Sequence, residues 1–180
     1  MRLALALALV AVTTSGATIS AGNNSHVSVS SLKEIETVTD SQFAGDPWEM
    51  LGYTRGTYLP GYGVVFTFEM SLIQATPISI FHPTVTAQER KTVHDRKLKQ
   101  LGVLEQIMKD MVVKAATSIA AVPPAEEIVF EARLLSQPYE DHDGLPWRVT
   151  MSANRQKILD AVARHAAPAG LAALIEERKE

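Results

Sequence analysis

Apolar positions along this chain change their period several times, and each change marks an element. Val64, Phe66, Phe68 and Met70 alternate with Val65, Thr67, Glu69 and Ser71, the two-residue period of a strand with one covered face. Tyr53 to Leu59, rich in aromatic and β-branched residues, precedes that run across Pro60, Gly61, Tyr62 and Gly63. Proline with two glycines is turn chemistry, so the two runs are expected to form a β-hairpin. Thr86 and Glu89 then stand at capping-box spacing, where each side chain satisfies the other's free backbone donor. Behind them Leu101, Leu104, Met108, Met111 and Ala115 recur at intervals of three and four, widened by Ile107, Val112 and Ile119. That stripe predicts a long helix ending before Pro123 and Pro124. Its front half, Arg90 to Lys99, keeps only Val93 and Leu98 apolar and is expected to project along or beyond the edge of the core, with Gly102 as a bend.

Two further strands are expected at Glu127–Ser136 and Trp147–Met151, joined by a polar loop over 137–146 into an antiparallel hairpin. Ser152 or Asn154 caps a second helix with Ile158, Leu159, Val162 and Ala163 on its apolar side. Pro168 and Gly170 break it, leaving a last amphipathic turn or two. The resulting order, ββαββα, predicts an α+β fold whose antiparallel sheet carries its helices on one face. This single domain is expected over 47–180. Leu32, Ile35 and Val38 allow a short helix, but 22–46 is otherwise polar and reads as a flexible leader.

The start of the chain has a different character. Arg2 is followed by an unbroken apolar run from Leu3 to Val12, half of the roughly 20 residues that span a bilayer. Small residues follow, with small-x-small patterns ending at Ala17 and at Ala21, so residues 1–21 read as a cleavable signal peptide. No transmembrane segment is expected after cleavage. The 180 residues include no cysteine, which removes disulfides, thiolate metal sites and cysteine nucleophiles. Small secreted domains of eukaryotes lean on disulfides; a mature chain this long does not need them. A bacterial periplasmic or secreted protein is the reading that fits both features. Losing Arg2 leaves 16 basic against 20 acidic residues, a net charge of −4, and that balance excludes a dedicated nucleic-acid binder.

Local signatures of catalysis are missing. Gly61 and Gly63 begin a dinucleotide fingerprint, but Phe66 stands at its third glycine and a strand follows where a helix must. There is no Gly-x-Ser-x-Gly elbow and no His-Glu-x-x-His. Tyr139 to Gly144 is dense in oxygen ligands but lacks the bidentate glutamate of a calcium loop, and the five histidines show no ligand spacing. Met108 and Met111 fall in the apolar stripe and read as core. No cofactor and no metal is expected. Leu104→Ala or Met111→Ala is expected to cost about 2–5 kcal/mol, and Lys97→Ala on the charged half under about 0.5 kcal/mol.

Charge is uneven: Glu89 to Lys99 carries +3, and Glu126 to Asp143 carries −5. Such runs suit self-association or contact with an anionic envelope component. Arg55, Tyr58 and Tyr62 beside the hairpin turn are the candidate binding residues, since a guanidinium grips anions bidentately and phenols stack while hydrogen-bonding. The competing expectation packs Tyr58 in the core and leaves Tyr62 to cover the turn.

The stretch Gly52 to Glu69 resembles a segment of uncharacterised exported bacterial proteins, in which a Tyr-Leu-x-Gly-(Tyr/Phe)-Gly-x-Val-Phe core precedes a charged helix like Arg90–Lys99. Gly144, Leu145 and Pro146 before the last strand are also similar. The resemblance implies export and one α+β unit, and it carries over no catalytic residue. The function expected from the sequence is a non-catalytic binding or envelope-associated role, with a small periplasmic hydrolase as the alternative. An enzyme needs a concave site of converging polar groups, whereas a flat, polar sheet face favours binding.

Overall fold

Alternation of apolar and polar positions builds the hairpin at one side of the sheet. In a computed structural model that describes residues 27–74 and 84–180, β1 (Glu49–Leu59) and β2 (Gly63–Ser71) pair antiparallel, Tyr58 opposite Val64 and Arg55 opposite Thr67. The signal-peptide stretch 1–21 lies outside the described residues. Among the described residues the order is α1 (Val29–Gln42), β1, β2, α2 (Ala87–Ser118), β3 (Glu127–Leu134), β4 (Arg148–Asn154), α3 (Arg155–Ala163), α4 (Pro168–Ala172) and β5 (Glu176–Lys179).

The fold is α+β, with one five-stranded sheet in the order β1-β2-β3-β4-β5. The expectation of a purely antiparallel sheet is corrected at its centre, where β2 and β3 run parallel, Phe66 beside Phe130. Alternation predicts a strand and its faces but not its direction. The long helix α2 carries the chain back to the end where β2 began, so β3 must run the same way. Phe66 and Phe130 stack at 4.7 Å, and with Met70, Ile128 and Met151 they form a fully buried row beneath α2. Leu104, Met108 and Met111 are buried against it. The capping box of Thr86 and Glu89 is present, and the helix runs through Gly102 without a break.

Most of the charged front half of α2 is exposed, in keeping with a segment along the edge of the core, but Lys97 departs from this. Lys97 is 1% exposed, and its ammonium is paired with the buried carboxylate of Glu140, which also accepts the Gln137 N–H at 3.0 Å. The His94 ring meets the Asp141 carbonyl at 3.2 Å. The acidic loop over 137–146 therefore lies on the basic half-helix, and the two opposite charge runs meet within one chain. The small cost expected for Lys97→Ala is overturned by this burial.

Arg155, the first residue of α3, is likewise buried; it donates to the carbonyls of Ala116 at 2.9 Å and Val122 at 2.8 Å. It thereby satisfies an orphan carbonyl at the end of α2. Burial among uncharged partners pulls its guanidinium below the ordinary range. Asn154, one of the two expected caps, accepts from the Lys157 N–H. The last residues do not end in a helical turn: α4 is followed by β5, whose Glu177 and Lys179 reach Lys109 and Glu105 on α2 at 2.8 and 2.7 Å.

The stretch expected as a flexible leader contains α1, which buries Leu32, Ile35 and Phe43 in the core. Thr39 turns its hydroxyl back onto the Ile35 carbonyl at 2.8 Å, so its burial leaves no polar atom unsatisfied. Along β1, Glu36 accepts the Gly56 N–H at 2.9 Å and Asp40 the Thr54 N–H at 2.8 Å. Those donors lie on the outer edge of the sheet, since β1 is its end strand and their N–H groups bond to α1. Carboxylates one helical turn apart match donors two strand residues apart, and they close the free edge of β1 against a further strand.

This arrangement sets an acid limit on stability. Burial raises the pKa of Glu36, but hydrogen bonds from Lys33 and Gly56 and the charges of Lys33 and Arg55 outweigh it and hold the carboxyl below its ordinary range. A group whose folded pKa is depressed stabilises above its unfolded value, about 4.3, and that contribution is lost as pH falls through the folded value. Glu36→Gln is therefore expected to lower the urea midpoint at pH 7 and flatten its fall below pH of about 4.3. Parallel acid limbs in wild type and variant would refute the assignment.

Candidate functional site

Each strand of the sheet sends its odd and even residues to opposite sides, and only one side is roofed. On the other, Arg55, Thr67, Glu69, Glu131, Arg133, Thr150 and Arg178 stand in lateral register across all five strands, and most of them are exposed. The face is polar because those positions were polar in the alternation of β2, β3 and β4. Its charges are interlaced. Arg133 meets Glu69 at 3.4 Å, Arg148 meets Glu131 at 3.8 Å and also Glu180, and Arg178 meets Glu176 at 2.7 Å. Arg148 stacks over the exposed Trp147 ring, 4.6 Å from its centroid.

Within this face lies an open trough of about 410 Å³, lined among others by Tyr53, Arg55, Thr67, Glu69, Glu131 and Arg133. Register shifts in β1 between Met50 and Arg55 mark a bulged stretch, the kind of irregularity that re-aims side chains at a sheet margin. Tyr53 is 72% exposed there. Arg55 is exposed and has no ion-pair partner among the described residues, whereas the other three arginines of this face are each matched to a carboxylate.

The three residues singled out from the sequence do not share one surface. Arg55 opposes Thr67 on the open face, while Tyr58 opposes the fully buried Val64 and packs against the core. Residues three apart in a strand point to opposite sides. The Tyr58 hydroxyl donates to Glu126 Oε1 at 3.2 Å, and the same oxygen accepts the Gly61 N–H at 2.9 Å. Partial burial, then the hydrogen bond and charge of Glu126, raise the phenol's pKa above its ordinary range. The Glu127 N–H donates to the Tyr62 carbonyl at 2.8 Å, so the turn is bolted to the segment entering β3. Tyr62 is half exposed and lies within electrostatic range of Arg178. Of the three, Arg55 lines the trough.

Sequence reading missed Tyr53, Thr67, Glu69, Glu131 and Arg133. The signal was present in the polar half of each strand's alternation, but placing β3 beside β2 requires the parallel crossover. A second recess of about 330 Å³ lies between α2 and α4, walled by Val113, Leu171 and Ile175 and edged by Lys109 and Lys114. Among the described residues no group of three or more acidic or imidazole side chains is placed to hold a metal ion. Nor is any described helix long and apolar enough to cross a membrane. No family model, no curated protein and no solved structure matches the chain.

Proposed function

We propose that this chain is an exported bacterial protein, periplasmic or secreted, with a non-catalytic binding role, and that the open sheet face is the surface that meets its ligand. One observation carries the reading: a mostly polar face, interrupted by Val65 and Val129, carries a shallow trough opposite the helix-covered core. A broad, open surface of paired charges is suited to recognising an extended polar ligand. The chemistry of a hydrolase calls instead for a recess in which a nucleophile, a base and oxyanion donors converge. The signal-peptide pattern of residues 1–21 supports export, which makes the cell envelope the place to seek the ligand.

The test is co-sedimentation of the purified mature chain with isolated cell-wall sacculi and with envelope membranes, wild type beside two variants. Arg133→Ala with Thr67→Ala is expected to release the chain into the supernatant. Lys114→Ala, on the helical side, is expected to leave it in the pellet. Loss in both variants, or in neither, would remove the open face from the reading.

A further inference from the structure

We infer that the trough accepts an acidic carbohydrate, with a sugar carboxylate on Arg55 and a pyranose ring against Tyr53. This rests on the reading of the open face as a binding surface and names its ligand class. The sheet neutralises Arg133, Arg148 and Arg178 with its own glutamates but leaves Arg55 without an ion-pair partner among the described residues. The Arg55 guanidinium lies within electrostatic range of Glu36 but, unpaired among the described residues, presents on the trough wall a planar fork of donors that matches a carboxylate. Beside it Tyr53 exposes a flat ring with a polar tip, suited to covering the apolar face of a sugar while hydrogen-bonding its hydroxyls.

The rest of the lining narrows the class. Glu69 and Glu131 face the same trough and accept hydrogen bonds from hydroxyl groups; Thr67 can both donate and accept. A ligand with one acidic group and many hydroxyls satisfies all of these. A polyphosphate or nucleic-acid backbone would bring repeated negative charge onto the two glutamates. An extended peptide adding to the sheet beside the trough would need the free donors of the β1 edge, and Glu36 and Asp40 already hold the Gly56 and Thr54 N–H groups. The volume of about 410 Å³ sits at the small end of ligand sites, which run from about 300 to 1,000 Å³.

The experiment is calorimetric titration of the mature chain with a cellotetraose in which one sugar is oxidised to a glucuronate, with unmodified neutral cellotetraose, and with inorganic phosphate. The acidic tetramer is expected to bind at least about tenfold more tightly than the neutral one, with affinity falling as salt rises. Arg55→Ala is expected to weaken it about tenfold or more, Arg55→Lys to recover part of the loss, and Tyr53→Phe to retain more than Tyr53→Ala. Arg55 and Tyr53 are exposed, so an unchanged melting temperature shows that the variants are folded. Equal affinity for the neutral tetramer, tight binding of phosphate alone, or no change in Arg55→Ala would overturn the acidic-sugar assignment. Co-sedimentation that survives such a result leaves the open-face reading standing, and loss of both would end both.

Discussion

Lys97→Ala is expected to destabilise the fold by about 3–5 kcal/mol, although lysine sits in the most charged stretch of α2. The loss comes less from the missing attraction than from what remains. Glu140 is 7% exposed, and without Lys97 its carboxylate has one backbone donor and no described counter-ion. Taking an ion out of water costs several kcal/mol unless a partner offsets it. The double variant Lys97→Met with Glu140→Leu should therefore recover most or all of the loss, because it removes both charges and keeps the volume. Urea unfolding of the two single variants and the double variant supplies the cycle. A cost within about 0.5 kcal/mol for Lys97→Ala would show that the pair is solvated in solution.

Gly63→Ala is expected to cost about 2–6 kcal/mol, enough to leave little folded protein if stability is at the low end of the usual 5–15 kcal/mol. Gly63 has φ of +141°, and a Cβ there would fall 1.9 Å from the Glu127 carbonyl oxygen. The obstacle is backbone of the neighbouring parallel strand, so it cannot rotate aside. Relief requires β2 and β3 to part at the end where the turn is bolted to Glu126 and Glu127. Gly61, two residues earlier, provides the control: its φ is +81°, but nothing lies within 4 Å of the added atom. Gly61→Ala should cost only the left-handed strain, about 1–2 kcal/mol. Denaturant midpoints separate the two, and equal losses would mean that the close approach of β2 to Glu127 is not maintained in solution.

Both predictions fall at junctions between elements, and so does the boundary of what could be read without coordinates. Local rules were sufficient for the hairpin of β1 and β2, the capping box at Thr86, the buried stripe of α2 and the glycine turn, because each depends on residues within a few positions of one another. The polar half of each strand was also legible, and with it the fact that one sheet face would be open. Arg55 could be chosen as a binding residue for its chemistry alone. Its companions could not, because Glu131 and Arg133 reach the trough only through the parallel pairing of β2 with β3.

The same limit explains the other departures. Glu176 to Lys179 has the composition of a helix end, yet it forms β5 because the open edge of β4 offers backbone partners and α2 offers counter-ions to Glu177 and Lys179. Val29 to Gln42 is polar enough to read as a leader, but Leu32, Ile35 and Phe43 suffice to dock it, and Glu36 and Asp40 find the β1 edge. Lys97 reads as solvated because its counter-ion stands 43 residues away. The sequence by itself determined β1 to β4, α2 and α3 and which of their sides would be apolar, since those follow from periodicity and turn chemistry. Strand direction, the closing of the sheet edge, the pairing of the two charge runs and the membership of the trough were decided by tertiary structure, because each joins groups far apart in the chain whose energies exist only once the fold brings them together.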